Sequence, residues 1–162
     1  GTVTLTGDAE LQKPLTVNSD MIINLNGNTI KGEFHKSVGA VITVNEGASL
    51  NISGGTVKSI ANNGGSAIQN NGVATIKNVT LNGAPNADGS WPSYTVNNKG
   101  TMTITDSEIT SYHGALASYG AGAVVTMNNT NERNYPIGGC PIPTKHMVCT
   151  VSIWTIISLA VS

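Results

Sequence analysis

An apolar frame recurs five times along this chain, with its core position at Leu25, Ile52, Ile76, Ile104 and Met127. Successive positions lie 27, 24, 28 and 23 residues apart. Repetition on that scale means stacked units that bury their apolar faces against one another. The frame has several columns. Eight residues before each core position stand Val17, Val44, Ile68, Val96 and Tyr119, and two before it stand Ile23, Leu50, Ala74, Met102 and Val125. Five after the first four stand Ile30, Val57, Leu81 and Ile109. Apolar residues two apart share one strand face, so the intervening Asn24, Asn51, Thr75, Thr103 and Thr126 point to solvent. Each repeat is three short strands, and the expected fold is all-β, a parallel β-solenoid of about five rungs over residues 1–131.

Composition enters where it narrows this reading. Aromatics make up 4% of the chain and charged residues 10%, while glycine numbers 19. The interior is therefore lined by small and β-branched aliphatics, which suits a narrow coil. The net charge is −1 and no Lys/Arg cluster stands ready for phosphate contacts, so nucleic acid is excluded as an expected partner. The chain opens at Gly1 without a basic and then apolar leader, so any signal peptide has been removed or the chain is part of something longer.

The turns repeat as well. Asn18, Asn45, Gln69 and Asn97 follow the first strand of successive rungs, and Gly47, Gly72, Gly100 and Gly122 come shortly after. Asn and Gly tolerate the left-handed backbone of a sharp corner. Amides stacked one rung apart are also expected to hydrogen-bond along the coil. Two stretches depart from the frame, Gly32 to Ser37 and Ala84 to Pro92. Excursions on a fixed scaffold are where recognition is expected, which selects Asn86, Asp88, Trp91 and Tyr94 as binding candidates.

The runs Ile23 to Gly32, Leu50 to Ser59 and Met102 to Ser111 resemble the rungs of right-handed parallel β-helices of the pectate-lyase-like superfamily, over roughly residues 3–131. That superfamily includes polysaccharide lyases and hydrolases, phage tailspikes and fibres, and bacterial surface proteins. The resemblance implies a right-handed coil and says little of function, because one coil serves both chemistry and scaffolding. The expected role is a structural or adhesive surface element. A phage virion fibre or capsid decoration protein is favoured, placed at the virion surface, contacting host glycans and assembled as a homotrimer, as the phage members of the resemblance imply. A bacterial surface adhesin and a polysaccharide-degrading enzyme of the same fold are the alternatives.

Chemistry would show itself as carboxylates. Asp106 and Glu108 are the close pair on a strand, two residues apart and able to share a face for glycoside hydrolysis. Two acids beside a turn are more often solvated surface, so no enzyme is expected. The lyases that the fold resembles use acidic Ca²⁺ ligands and a basic residue, commonly Arg. Here the sole Arg is Arg133, outside the repeats, and Lys77 and Lys99 read as outward residues. His35 and His113 each stand alone beside a turn. No calcium-binding repeat or Asp-rich loop is present, so no metal or cofactor is expected. The Thr-x-Thr runs at Thr2 to Thr6 and Thr101 to Thr105 make no ice-binding ladder, because aligned rungs place Asn24 and Asn51 in the Thr103 column and Asn26, Ser53 and Lys77 in the Thr105 column. Sequons at Asn51, Asn78 and Asn128 are expected by chance in so Asn-rich a chain.

The frame breaks at Glu132, where it requires an apolar residue, and residues 132–162 are expected to form an irregular tail. Pro136, Pro141 and Pro143 oppose a regular central strand. The apolar run Val148 to Val161 is 14 residues long, short of the roughly 18 or more that a membrane span needs, so it reads as a cap or an oligomer contact. Cys140 and Cys149 leave pairing open. Codon degeneracy also permits repeat-like residues in a shifted frame across Thr144 to Val148 and Ile157 to Val161, so the tail is a candidate for an out-of-frame segment.

Overall fold

A computed structural model describes residues 1–35, 37–62, 64–85, 94–112 and 114–134. Alternating inward apolar and outward polar residues drive these segments into fifteen strands, and no helix occurs among the described residues. In chain order they are β1 (Thr2–Thr4), β2 (Ala9–Leu11), β3 (Leu15–Val17), β4 (Met21–Asn24), β5 (Thr29–Gly32), β6 (Ile42–Val44), β7 (Ser49–Ser59) and β8 (Ile68–Asn70). There follow β9 (Val73–Asn82), β10 (Tyr94–Asn98), β11 (Thr101–Thr105), β12 (Glu108–Ser111), β13 (Gly114–Ser118), β14 (Val124–Asn128) and β15 (Asn131–Asn134).

The chain winds as a parallel β-solenoid of about five turns. One sheet stacks β3, β6, β8, β10 and β13. The other bends at a corner into two flanks. Its first flank stacks β1, β4, β7, β9, β11 and β14, its second stacks β2, β5, β7, β9, β12 and β15, and β7 and β9 run through both. Consecutive strands of one coil lie in different walls, so every ladder joins strands a full turn apart and all are parallel.

The core is the inside of the coil. Ile52 faces Ile76, Ile76 faces Ile104 and Ile104 faces Met127, and the three isoleucines are no more than 1% exposed. Burying one such side chain contributes roughly 1.5–3 kcal/mol. On the second flank Ile30, Val57, Leu81 and Ile109 stack in the register their spacing predicts. Glu132 stands next, over Ile109, and β15 continues the coil through Asn134.

Three registers differ from the sequence frame. Leu116, not Tyr119, lies over Val96, and Tyr119 is exposed, because five residues connect β13 to β14 where two connect β10 to β11. Ile23, not Leu25, lies over Ile52, because the corner after β4 carries two more residues than the corresponding corner of the next turn. Leu25 fills that longer corner, fully buried, and a Cβ at Gly55 would come 2.5 Å from the Leu25 Cβ. On the other sheet Ile68 lies between Ile42 and Val96, and Val44 lies over Asn70. Four residues connect β6 to β7, but only Asn71 and Gly72 connect β8 to β9, and the shorter turn shifts the register by two. The turn glycines also divide. Gly47 and Gly122 take the expected left-handed backbone, at φ 78° and 85°. Gly72 and Gly100 do not, and are required instead because a Cβ on Gly100 would overlap the Gly72 carbonyl.

Candidate functional site

Two of the coil's corners carry features beyond packing. The first is the bend between the flanks of the larger sheet. Two residues after Ile52, Ile76, Ile104 and Met127 the backbone turns through the left-handed region, at Gly54 (φ 71°), Asn78 (φ 54°), Asp106 (φ 50°) and Asn129 (φ 47°). Asn and Asp are the non-glycine residues best suited to that conformation. This recurrence was legible in the sequence as a Gly/Asn/Asp column, yet only the coil makes its consequence visible. The corner residues and those two places on form a groove of about 570 Å³ spanning three turns. Asn78 and Thr80 line it from β9, Asp106 and Glu108 from the turn and β12, and Asn129 and Asn131 from the next rung. Its floor is fixed by Ser107, which is buried, donates to the Thr105 carbonyl at 2.8 Å and accepts from the Val79 N–H at 3.2 Å.

Asp106 and Glu108 therefore do line one groove, though Asp106 sits at the corner rather than on a strand. Each has a partner within the protein. Asp106 Oδ1 accepts from Asn129 Nδ2 at 2.7 Å, and Glu108 Oε1 lies 3.0 Å from Arg133 Nε. Arg133, read in the sequence as lying outside the repeats, is on β15 and belongs to this rim. Lys77 is exposed on the outer face, and Lys99 lies over the Tyr119 ring at 5.2 Å from its centre. The sequon residues Asn51, Asn78 and Asn128 are all exposed. The outer Thr103 column reads Thr2, Ile22, Asn51, Thr75, Thr103 and Thr126, with Ile22 where the frame had Asn24, and no continuous threonine ladder forms.

The second corner is the one between the two sheets. The connections β5 to β6, β7 to β8, β9 to β10 and β12 to β13 all begin and end there, and the first and third contain the stretches that depart from the sequence frame, Gly32 to Ser37 and Ala84 to Pro92. Phe34, Tyr94 and Tyr112, three of the four described aromatic residues, fall at this corner. Two are seated by glycine. A Cβ at Gly32 would overlap the Phe34 ring, and one at Gly114 would come 2.5 Å from the Tyr94 ring. Tyr94 is half-buried, and its carbonyl accepts from Ser66 Oγ at 2.6 Å. Of the binding candidates Tyr94 is thus placed at the loop corner, while Asn86, Asp88 and Trp91 lie outside the described residues. His35 Nδ1 is 2.7 Å from Ser37 Oγ and accepts from the Ser37 N–H, a local loop contact. His113, Cys140, Cys149 and the run from Val148 to Val161 lie outside the described residues.

The sequence frame missed the interior polar ladder. Asn70 and Asn98 are fully buried, and Asn70 Nδ2 donates to Asn98 Oδ1 at 2.8 Å. Asn98 Nδ2 reaches Ser118 Oγ at 3.2 Å. The expected amides do not form one column: Asn45 donates to Asn18 at 2.6 Å, whereas Gln69 and Asn97, one residue before the buried pair, turn to Asn71 and Ser66. The signal was Asn-x-Gly followed at once by a strand, at Asn70 and again at Asn98.

Among the described residues no three His, Cys, Asp or Glu side chains gather as a metal site, and no helix is long and apolar enough to cross a membrane. Comparison with protein-family models, with curated proteins and with solved structures returns no match to this chain.

Proposed function

We propose that this chain is a structural and adhesive element that binds a surface glycan without cleaving it. The observation that carries the reading is the division of labour around the coil: repeating rungs on the other sides, and at one corner the connections that depart from the repeat in sequence, with the half-buried Tyr94 and Tyr112 beside them while Phe34 packs into the core. A rigid scaffold that positions variable loops is built for recognition. Its resemblance to pectate-lyase-like coils supports a setting on a particle or cell surface, with a phage fibre or capsid decoration first and a bacterial adhesin second, and with three coils bundled as a homotrimer. The polysaccharide-degrading alternative is favoured by one feature, the two acids on one groove, but both are engaged by Asn129 and Arg133.

The test is adhesion. The intact chain should bind glycan-bearing cells or particles, and replacement of residues 86–93 by a short glycine linker should abolish binding while circular dichroism stays unchanged. Retained binding by that variant would overturn the loop-corner reading. Light scattering on the same samples should give three times the chain mass, and a monomer would remove the trimer.

A further inference from the structure

We propose that the groove at the left-handed corner is a second ligand site, and that its ligand is a neutral, polyhydroxylated glycan; this deepens the adhesive reading and rests on it. The groove is a grid. Three successive rungs each contribute a corner residue and the residue two places on: Asn78 with Thr80, Asp106 with Glu108, Asn129 with Asn131. Parallel strands set these rows about 4.8 Å apart, and the left-handed turn at Asn78, Asp106 and Asn129 puts the two residues of each row on either side of the bend. The middle row is made of acceptors. The outer rows hold amide and hydroxyl donors, and Ser107 beneath holds the floor rigid. All six side chains are exposed or half-exposed, so they are available from solvent.

Charge and polarity select the ligand. An acidic sugar or a phosphate meets two carboxylates against the one guanidinium of Arg133, a net negative rim, and is disfavoured. A small cation finds only these two carboxylates, with no third His, Cys, Asp or Glu among the described residues to complete a site. An apolar ligand would strip water from two carboxylates without replacing it. A sugar hydroxyl both donates and accepts, so a run of hydroxyls satisfies the acceptor row and the donor rows together.

The experiment is an NMR titration of the full chain with cellohexaose, with mannohexaose and with oligogalacturonate. The side-chain amide signals of Asn78, Asn129 and Asn131 should move with at least one neutral hexasaccharide and stay still with oligogalacturonate. The Asp106→Asn, Glu108→Gln double variant should bind about tenfold more weakly. Silence at these three amides with both neutral sugars, or stronger binding of the acidic one, overturns the inference. Shifts confined to Tyr94 and its neighbours overturn it too, while leaving adhesion through the loop corner standing. Groove-dependent shortening of a neutral chain would uphold the site and overturn the non-cleaving reading instead.

Discussion

Asn70 donates its side-chain amide to the side-chain carbonyl of Asn98 at 2.8 Å, one turn away and wholly inside the coil. Each of these asparagines also serves the short turn that follows it. Asn98 Nδ2 donates to the Gly100 carbonyl at 2.9 Å and to the Val124 carbonyl at 3.1 Å, so one side chain closes its own turn and ties it to the next. A buried polar group is stabilising only when its partners are all present.

Asn98→Ala should therefore cost about 1–3 kcal/mol, since it removes the buried acceptor of the Asn70 amide together with the bonds of the Asn98 amide to Ser118 Oγ and to the Gly100 and Val124 carbonyls. Denaturant unfolding gives the figure. A variant as stable as the wild type would show the ladder to be dispensable.

Ile76 and Thr103 lie on neighbouring rungs but face opposite ways, Ile76 inward at 0% exposure and Thr103 outward. Ile76→Asp should abolish folding, because a carboxylate would be buried without a partner. Thr103→Asp should shift the melting temperature by only a few degrees. Equal melting of the two would refute the assignment of inner and outer faces.

Gly100 and Gly7 make a matched pair. Alanine at Gly100 drives its Cβ into the Gly72 backbone, and alanine at Gly7 meets nothing within 4 Å. Gly100→Ala should cost about 1–3 kcal/mol and Gly7→Ala close to nothing, measured by thermal melts.

Glu132 occupies an inward column position over Ile109, and desolvation there raises its carboxyl above the usual range, although the side chain remains exposed at the coil's end. A raised acid binds its proton more tightly in the folded state. Its ionisation therefore subtracts stability as pH climbs through the window between the ordinary carboxylate value and the raised one. Glu132→Leu should stabilise the protein by about 1 kcal/mol at pH 7, and the gain should shrink as pH falls below that window. An equal gain at pH 7 and pH 3.5 would show that burial of leucine alone, and not loss of the charge, is responsible.

What the sequence made legible was the coil and most of its columns. Ile52, Ile76, Ile104 and Met127 stack as their spacing requires, as do Ile30, Val57, Leu81 and Ile109. Tyr119 was misplaced by three residues, because the connection from β13 to β14 is longer than the equivalent one a turn earlier. The other two register errors have one cause. A strand that slips by two residues keeps its apolar residues inward, so Met21, Ile23 and Leu25 fit the alternation equally well in either register. Only the number of residues in the adjoining corners distinguishes them, and that number changes from turn to turn. The Asn70 ladder was hidden for the opposite reason, because a polar residue at an inward position is read as outward until its partners are seen. Of the candidate site, the acids were visible as neighbours in sequence. Their amide and hydroxyl companions Asn78, Thr80, Asn129 and Asn131 were not, because they join Asp106 and Glu108 only through stacking across three turns.

The central claim is that this coil binds a glycan without cleaving it, and the most direct measurement is the chain length of polysaccharide held on the protein. Prolonged incubation of the intact chain with the cell-surface polysaccharide it retains should leave the size distribution unchanged, with identical profiles for the wild type and the Asp106→Asn, Glu108→Gln variant. Progressive shortening by the wild type, lost in that variant, would contradict the account and identify the two carboxylates as catalytic.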